Sequence, residues 1–477
     1  MCSFFFARTT GAVSDSLIES SNVYARRRGP DRTTVQRFAD EQGRHLIFLH
    51  NLLDISGNAA VQPVVDGGGP TLRIVQFNGE IYNFGDFGPF ATDTECLLPL
   101  YDKLGVGMAR ELDGEFAVVI YDAQRQSLLV FADPFLTKPI YLGSNTLSGD
   151  FGVATCASSL QAIGLDEVVM AEPNTAYCIK FHSAGQEIVK QENLFAFSLD
   201  QECDSFDEWT NAFLGSVRKR ACHGAHRPVV FLSSGYDSGA ICLALNLQGI
   251  EYDTFTIDAG EEQQTLNRRI RINRSASCGT AFRFSGLAPA DVQRMTNDIL
   301  GNVEPFTYQH EDQPGRVTTL QADGGALGAN FLSEFARKER RFVNLSGAGA
   351  DEILSDYGFA GTKFYYHSQF GGLFPEDLST IFPWKKFYGD TQRSYLFKDE
   401  FILGRHGLEG RYPFLDKQLV QAFLSLSVQL KNSTYKAPLA NFLKSHGYPF
   451  EAMKKRGFAP KSEPQSFFSR LRSRLVR

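Results

Sequence analysis

Up to about residue 190, apolar positions fall in short runs separated by Gly, Asp and Asn. Examples are RHLIFLH at 44–50, LRIVQFNGEIYN at 72–83, EFAVVIYD at 115–122, SLLVFAD at 127–133 and YCIKF at 177–181. Runs this short, bounded by turn formers, predict strands, and their density predicts a strand-rich α+β unit. MCSFFF at the start reads as a buried strand that pins the terminus. The segment LDQECDSFDEWT at 199–210 is acidic and polar, a linker running into a helix. From about 226 the pattern changes to strand, turn, helix, strand, as in PVVFLSSGYDSGAICLAL followed by EYDTFTID. That alternation predicts a parallel sheet with crossover helices. No internal repeat or low-complexity segment interrupts it, and 477 residues suit two or three domains.

Composition narrows the partners. No apolar run reaches the ~18 residues of a membrane span, and no basic-then-apolar leader precedes MCSFFF. A net charge of −6 gives no footprint for nucleic acid. The basic residues Arg470, Arg472, Arg474 and Arg477 read as a solvated tail. The eight cysteines are scattered, without CxxC or metal spacing, as expected of free thiols in a reducing cytoplasm.

Chemistry enters with Cys2. Once Met1 is trimmed, Cys2 carries a thiol and a free α-amine together. The amine titrates near ~8 and the thiol near ~8.5, so the amine can take the thiol proton at neutral pH. A position-two cysteine means little alone, and the Asn78-Gly79 pair at a strand end also suits a plain hairpin turn. Together they change meaning, because a side-chain amide beside a flexible backbone N–H is what an oxyanion hole requires.

The second half has its own chemistry. Ser-Ser-Gly-Tyr-Asp-Ser at 233–238 follows the apolar run VVFL and opens a helix, presenting N–H groups and hydroxyls to an anion. Asp237 in that turn would repel phosphate unless Mg²⁺ bridges them. No GxxxxGK[ST] or GxGxxG is present. A second acidic turn, Ser-Gly-Ala-Gly-Ala-Asp-Glu at 346–352, follows the strand FVNL. Two such turns fall at one carboxyl edge of a parallel sheet, where α/β folds bind ligands.

These segments, with RRRGPD at 26–31, NGEIYN at 78–83, TDTE at 92–95, HGLEGRYPFLD at 406–416 and YKAPL at 435–439, resemble class B, glutamine-hydrolysing asparagine synthetases. The resemblance implies an N-terminal-nucleophile glutaminase domain of layered antiparallel sheets over residues 2–195. It implies an α/β ATP-pyrophosphatase domain over 205–462, then a basic tail over 463–477. By resemblance Cys2 attacks glutamine, Asn78 and Gly79 hold the oxyanion, and Glu80 and Asp93 hold the amino end. Ser233, Ser234, Gly235, Asp237 and Ser238 cradle pyrophosphate, Asp351 shares Mg²⁺ with Asp237, and Lys436 neutralises phosphate charge. Ile257 and Gly347 line the adenine pocket. The implied reaction takes glutamine, ATP and a small carboxylate, passes ammonia internally, and leaves a carboxamide, AMP and pyrophosphate. A homodimer is the expected assembly. Intramolecular cyclases of the β-lactam synthetase or lasso-peptide kind share the second half but typically lack the N-terminal cysteine.

Four departures matter. The family's His-Glu-Arg-Leu reads His-Asn-Leu-Leu at 50–53, so Leu52 replaces the arginine that grips the glutamine carboxylate. Either another arginine, as in the Arg26–Arg28 cluster, substitutes for it, or glutamine binding is weak. Ala132 stands before Asp133 where arginine is usual. Ala348 and Ala350 replace the glutamate and serine of Ser-Gly-Glu-Gly-Ser-Asp-Glu, with Glu304 or the pair Glu311–Asp312 expected to take over proton handling. Loss of that glutamate leaves two readings: another group takes over and aspartate remains the acceptor, or the acceptor is bulkier or more anionic than aspartate. The chain is also shorter than the full family pattern, which suggests a trimmed C-terminus.

Overall fold

The structure is a computed structural model describing residues 1–55, 61–183, 185–258, 260–309 and 317–454. Segment 455–460, the tail 463–477 and the pair Glu311–Asp312 lie outside the described residues.

The first half stacks two six-stranded antiparallel sheets. Across the first, the spatial order is Glu167–Met170, Tyr141–Asn145, Asp150–Ala154, Ser3–Thr9, His45–Leu52, Arg32–Ala39. The second runs Gly185–Gln191, Ala176–His182, Ser127–Ala132, Gly114–Asp122, Arg73–Ile81, Val64–Asp66. Ser3–Thr9 is buried along its whole length because it is central, with neighbours on both edges. Phe6 meets Phe48 at 5.0 Å in its own sheet and Tyr121 at 6.3 Å in the facing one, which closes the core between the layers. Asp15–Ser21 and Ala157–Gln161 cover the outer face of the first sheet. Leu97–Leu104 covers the second, burying Leu97, Leu100 and Tyr101 against Val75, Phe77, Val118 and Ile120. The four layers match the α+β expectation.

A connection leads into the helix Asp207–Cys222, and the second half is built on a parallel sheet. Its order is Cys278–Phe284, Tyr252–Ile257, Val229–Phe231, Val343–Leu345, Glu409–Arg411, with every pair parallel. The helices Tyr236–Leu247 and Gln263–Ser275 are crossovers between its strands, and Gly324–Lys338 and Asp390–Arg405 pack on each other. The two acidic turns therefore leave neighbouring strands at one edge, as the alternating pattern predicts.

Buried charge joins the halves. Glu400, with no exposed surface, takes Arg28 at 2.7 Å, Lys138 at 3.0 Å and the Tyr412 hydroxyl at 2.9 Å. Arg220 takes Glu115 at 2.5 Å and Asp416 at 2.8 Å. Such groups are costly to desolvate and persist only when each charge is matched. Met1 is also fully buried. Its side chain packs with Val229, Phe255, Ile257, Leu287, Leu332, Ala336, Leu403 and Leu408 of the second half. Among the described residues no helix is long and apolar enough to cross a membrane.

Candidate active site

The Cys2 thiol lies where the central strand begins, against the end of its neighbour. The Leu53 N–H points at Sγ from 3.5 Å, and the Leu53 carbonyl is 3.9 Å away. Burial raises the thiol to about 11, opposed by the nearby terminal ammonium and the Leu53 contact. Burial likewise lowers the Met1 amine to about 6, opposed by Glu409. That amine is Met1's own, and the shift favours its neutral form. His50, with Nε2 2.9 Å from the Phe77 carbonyl, is lowered to about 4 by burial and is a neutral structural ring.

Asn78 is fully buried on the Arg73–Ile81 strand, and neither its Oδ1 nor its Nδ2 has a hydrogen-bond partner. A buried amide left unpaired in a protein is uncommon, and donors held ready for a charge that develops only during reaction are one reason for it. Gly79 beside it has φ +124°, and a Cβ there would fall 1.9 Å from the Glu115 carbonyl. Only glycine fits.

Glu80, next along, turns toward the second half. Its Oε2 meets His223 Nε2 at 2.6 Å and its Oε1 meets Arg411 at 3.2 Å. Asp93 accepts the Ile81 N–H at 3.1 Å, and burial with the charge of Glu80 raises it to about 7. Neither His223 nor Arg411 was singled out from the sequence. Arg411 sits inside a quoted motif, but His223 carries no local signal at all.

The expected replacement for the missing arginine is not where the sequence suggested. Arg28 is held by Glu400, Arg27 reaches Asn302 at 2.6 Å, and Arg26 is exposed. Strand register offers another. Arg32 stands directly opposite Leu52, so both side chains leave the same face of the sheet.

In the second half, the 233–238 turn is held from behind. The buried guanidinium of Arg269, on the next crossover helix, binds the carbonyls of Ser233 at 2.7 Å and Gly235 at 2.6 Å. The Ser233 N–H meets Ser238 Oγ at 3.0 Å, and the two hydroxyls are 2.9 Å apart. Ser234 is turned away and bonded to Glu261 through both N–H and hydroxyl. Lys436 Nζ lies 2.6 Å from Asp237 and 2.8 Å from Asp351, and the Tyr435 hydroxyl reaches Asp351 at 2.9 Å. Two carboxylates brought to one ammonium form an oxygen-donor pair suited to a hard divalent cation. Gly347 keeps the turns close, since a Cβ there would meet Asp237 Cβ at 2.8 Å.

Ser233, Gly235, Asp237, Ser238, Gly347 and Asp351 line one cavity of about 570 Å³. Ile257 does not. It is buried in the apolar cluster with Met1, Val229 and Phe255. Glu304 is also elsewhere, accepting the Ser158 N–H at 2.9 Å from the first half. Asp399 is one carboxylate of the cavity wall, linked to Ala348 through Ser346 Oγ, which takes the Ala348 N–H at 3.2 Å. It accepts the Ser346 hydroxyl at 2.9 Å, and burial raises it to about 6 against the pull of Lys398. Tyr308, Tyr357, Tyr365, Tyr366 and Tyr395 line much of the rest.

Comparison with known proteins bears on both halves. A glutamine amidotransferase domain profile matches residues 1–196, and an asparagine synthase profile matches 388–473. The chain is 30% identical over 464 residues to asparagine synthetase B (glutamine-hydrolysing) of Escherichia coli strain K12, covering 90% of this chain and 76% of that protein. It is 25% identical over 449 residues to the glutamine-hydrolysing asparagine synthetase of Gallus gallus, covering 85% and 73%. The Mus musculus enzyme of the same name is 24% identical over 452 residues, with the same coverage. The chain belongs to the glutamine-hydrolysing asparagine synthetase family.

Proposed function

We propose that this chain amidates a small carboxylate other than aspartate, using ammonia that Cys2 draws from glutamine. As a family member it is a glutamine-dependent, ATP-consuming carbon–nitrogen ligase. With Met1 trimmed, the Cys2 amine takes the thiol proton, and the thiolate attacks the glutamine amide carbon. Asn78 Nδ2 and the Gly79 N–H receive the developing oxyanion, and the C–N bond breaks to leave a thioester and ammonia. Water then releases glutamate. Glu80 and Asp93 are acceptors for the substrate's α-ammonium.

At the second site the 233–238 turn receives the ATP phosphates, and Lys436 balances charge on the α-phosphate and pyrophosphate. Asp237 and Asp351 would hold Mg²⁺, whose contribution is charge neutralisation on phosphate oxygens. The acceptor carboxylate displaces pyrophosphate to give an acyl-adenylate, and ammonia displaces AMP to give the amide. Asp399 is the carboxylate positioned to take the proton shed by attacking ammonia, the role first sought in Glu304.

The acceptor reading is carried by the wall beyond Ala348. Where a glutamate would narrow the cavity there is a methyl group, and five tyrosines shape the remainder. Of the alternatives the sequence left open, these walls favour bulk over charge. Asp323, Glu352 and Asp399 are there against Lys398, which Asp323 already holds at 3.2 Å. An acceptor with an aromatic or sugar-like body suits such a surface.

The test is ATP–pyrophosphate exchange with aspartate, aryl and uronic carboxylates, beside glutaminase assays on Cys2→Ala and Lys436→Ala. Cys2→Ala is expected to lose glutaminase activity and keep exchange, and Lys436→Ala the reverse. Robust exchange and asparagine formation with aspartate would overturn the acceptor reading. Glutamate release by Cys2→Ala would overturn the nucleophile.

A further inference from the structure

His223 follows directly on the Asp207–Cys222 helix of the nucleotide-binding half, yet its ring lies in the glutaminase pocket. Its ligand nitrogen and one oxygen each of Glu80 and Asp93 fall within 4.8 Å of one another. Tyr82 at 5.3 Å and Phe84 at 6.2 Å meet the ring edge to face and fix its plane. Its carbonyl is held by Arg411 at 2.8 Å, so the backbone beneath the ring is anchored as well. Burial pulls the imidazole down, but the hydrogen bond and charge of Glu80 outweigh it and hold His223 above its ordinary range. A ring from one half thus rests on Glu80 of the other, with Asp93 close by.

That pair is what the proposed glutaminase reaction assigns to the substrate's α-ammonium, and the inference rests on that assignment. We propose that His223 is a specificity-determining residue of the glutaminase site, competing with the α-ammonium of glutamine for Glu80 and so setting how strongly the α-amine is read. Arg411 cannot play this part, because Glu409 at 2.7 Å and the Arg220 and His223 carbonyls also hold it in place. His223 ends a helix, and its ring is the part that touches Glu80 directly. Glutamine must displace that ring from Glu80. Glutaramate, which has the same side-chain amide but no α-amine, need not.

The experiment measures glutamine and glutaramate hydrolysis by the full-length protein, as wild type, His223→Ala, His223→Gln and Asp93→Asn. His223→Ala should lower KM for glutamine about tenfold, equivalent to roughly 1.4 kcal/mol. Its kcat and its KM for glutaramate should hold, and His223→Gln should fall between. A merely structural role would shift both substrates together. Equal shifts, or a raised glutamine KM with unchanged glutaramate kinetics, would overturn the proposal. Asp93→Asn tests the assignment beneath it. An unchanged glutamine KM there would show that the α-ammonium binds elsewhere, whatever His223 does.

Discussion

Leu52 and Arg32 show how a missing contact can be met across a strand rather than along it. Leucine cannot imitate a guanidinium on a carboxylate. Yet Leu52 is followed by the residue that touches Cys2 Sγ, and its cross-strand neighbour is an arginine. A cation serving the glutamine α-carboxylate binds ground and transition states alike, so its loss should appear in KM. Arg32→Ala is therefore expected to raise KM for glutamine roughly tenfold, a loss of about 1.4 kcal/mol, with kcat unchanged. Leu52→Arg in that background should recover most of it, because the guanidinium returns to the same face. Steady-state kinetics of the three forms check this. An Arg32→Ala variant with ordinary glutamine kinetics would leave the carboxylate without its assigned partner.

Among elements, the nucleotide site is an assembly of turns held from behind. The 233–238 turn keeps its shape because Arg269, from another helix, ties down the carbonyls of Ser233 and Gly235. Hydrogen bonds to a charged donor contribute about 1.5–3 kcal/mol each. Arg269→Met should lower stability by about 3 kcal/mol on that scale and raise KM for ATP in pyrophosphate exchange, leaving glutamine hydrolysis intact. Melting curves and exchange kinetics together test it. Much of this level was readable in the sequence. Runs such as EFAVVIYD marked the strands, and the two Ser/Gly turns followed apolar strands that proved parallel neighbours. Residues supplied from afar were not readable. Arg411 meets Glu80 across 331 positions, and His223 just past one helix and Asp399 on another belong to segments whose patterns speak only of packing. Ile257 and Glu304 lie off the cavity wall for the same reason. Local pattern gave their strand or loop, but not the neighbours that drew them away from the cavity.

Over the whole molecule, Glu400 is the point on which the halves depend. Arg28 and Lys138 from the first half and Tyr412 from the second all meet it away from water. Removing one partner of a buried pair leaves an uncompensated charge, at about 3–5 kcal/mol. Glu400→Gln should lower the melting temperature and split a single transition into two as the halves separate. One unchanged transition would mean that the Arg220–Glu115 pair and apolar packing hold the halves together without Glu400. Met1 bears on the same boundary. Its side chain fills a pocket walled by Val229, Phe255, Ile257, Leu287, Leu332 and Ala336, and Leu403 belongs both to that wall and to the nucleotide cavity. Removing Met1 would empty the space as well as free the Cys2 amine. That space is not wholly apolar, since Arg28 lies 3.3 Å from the Met1 sulfur and Glu409 3.9 Å from the Met1 amine. Polar groups facing a void of that size hold water. Processing of one residue would then exchange an apolar plug for ordered water at the boundary between the halves.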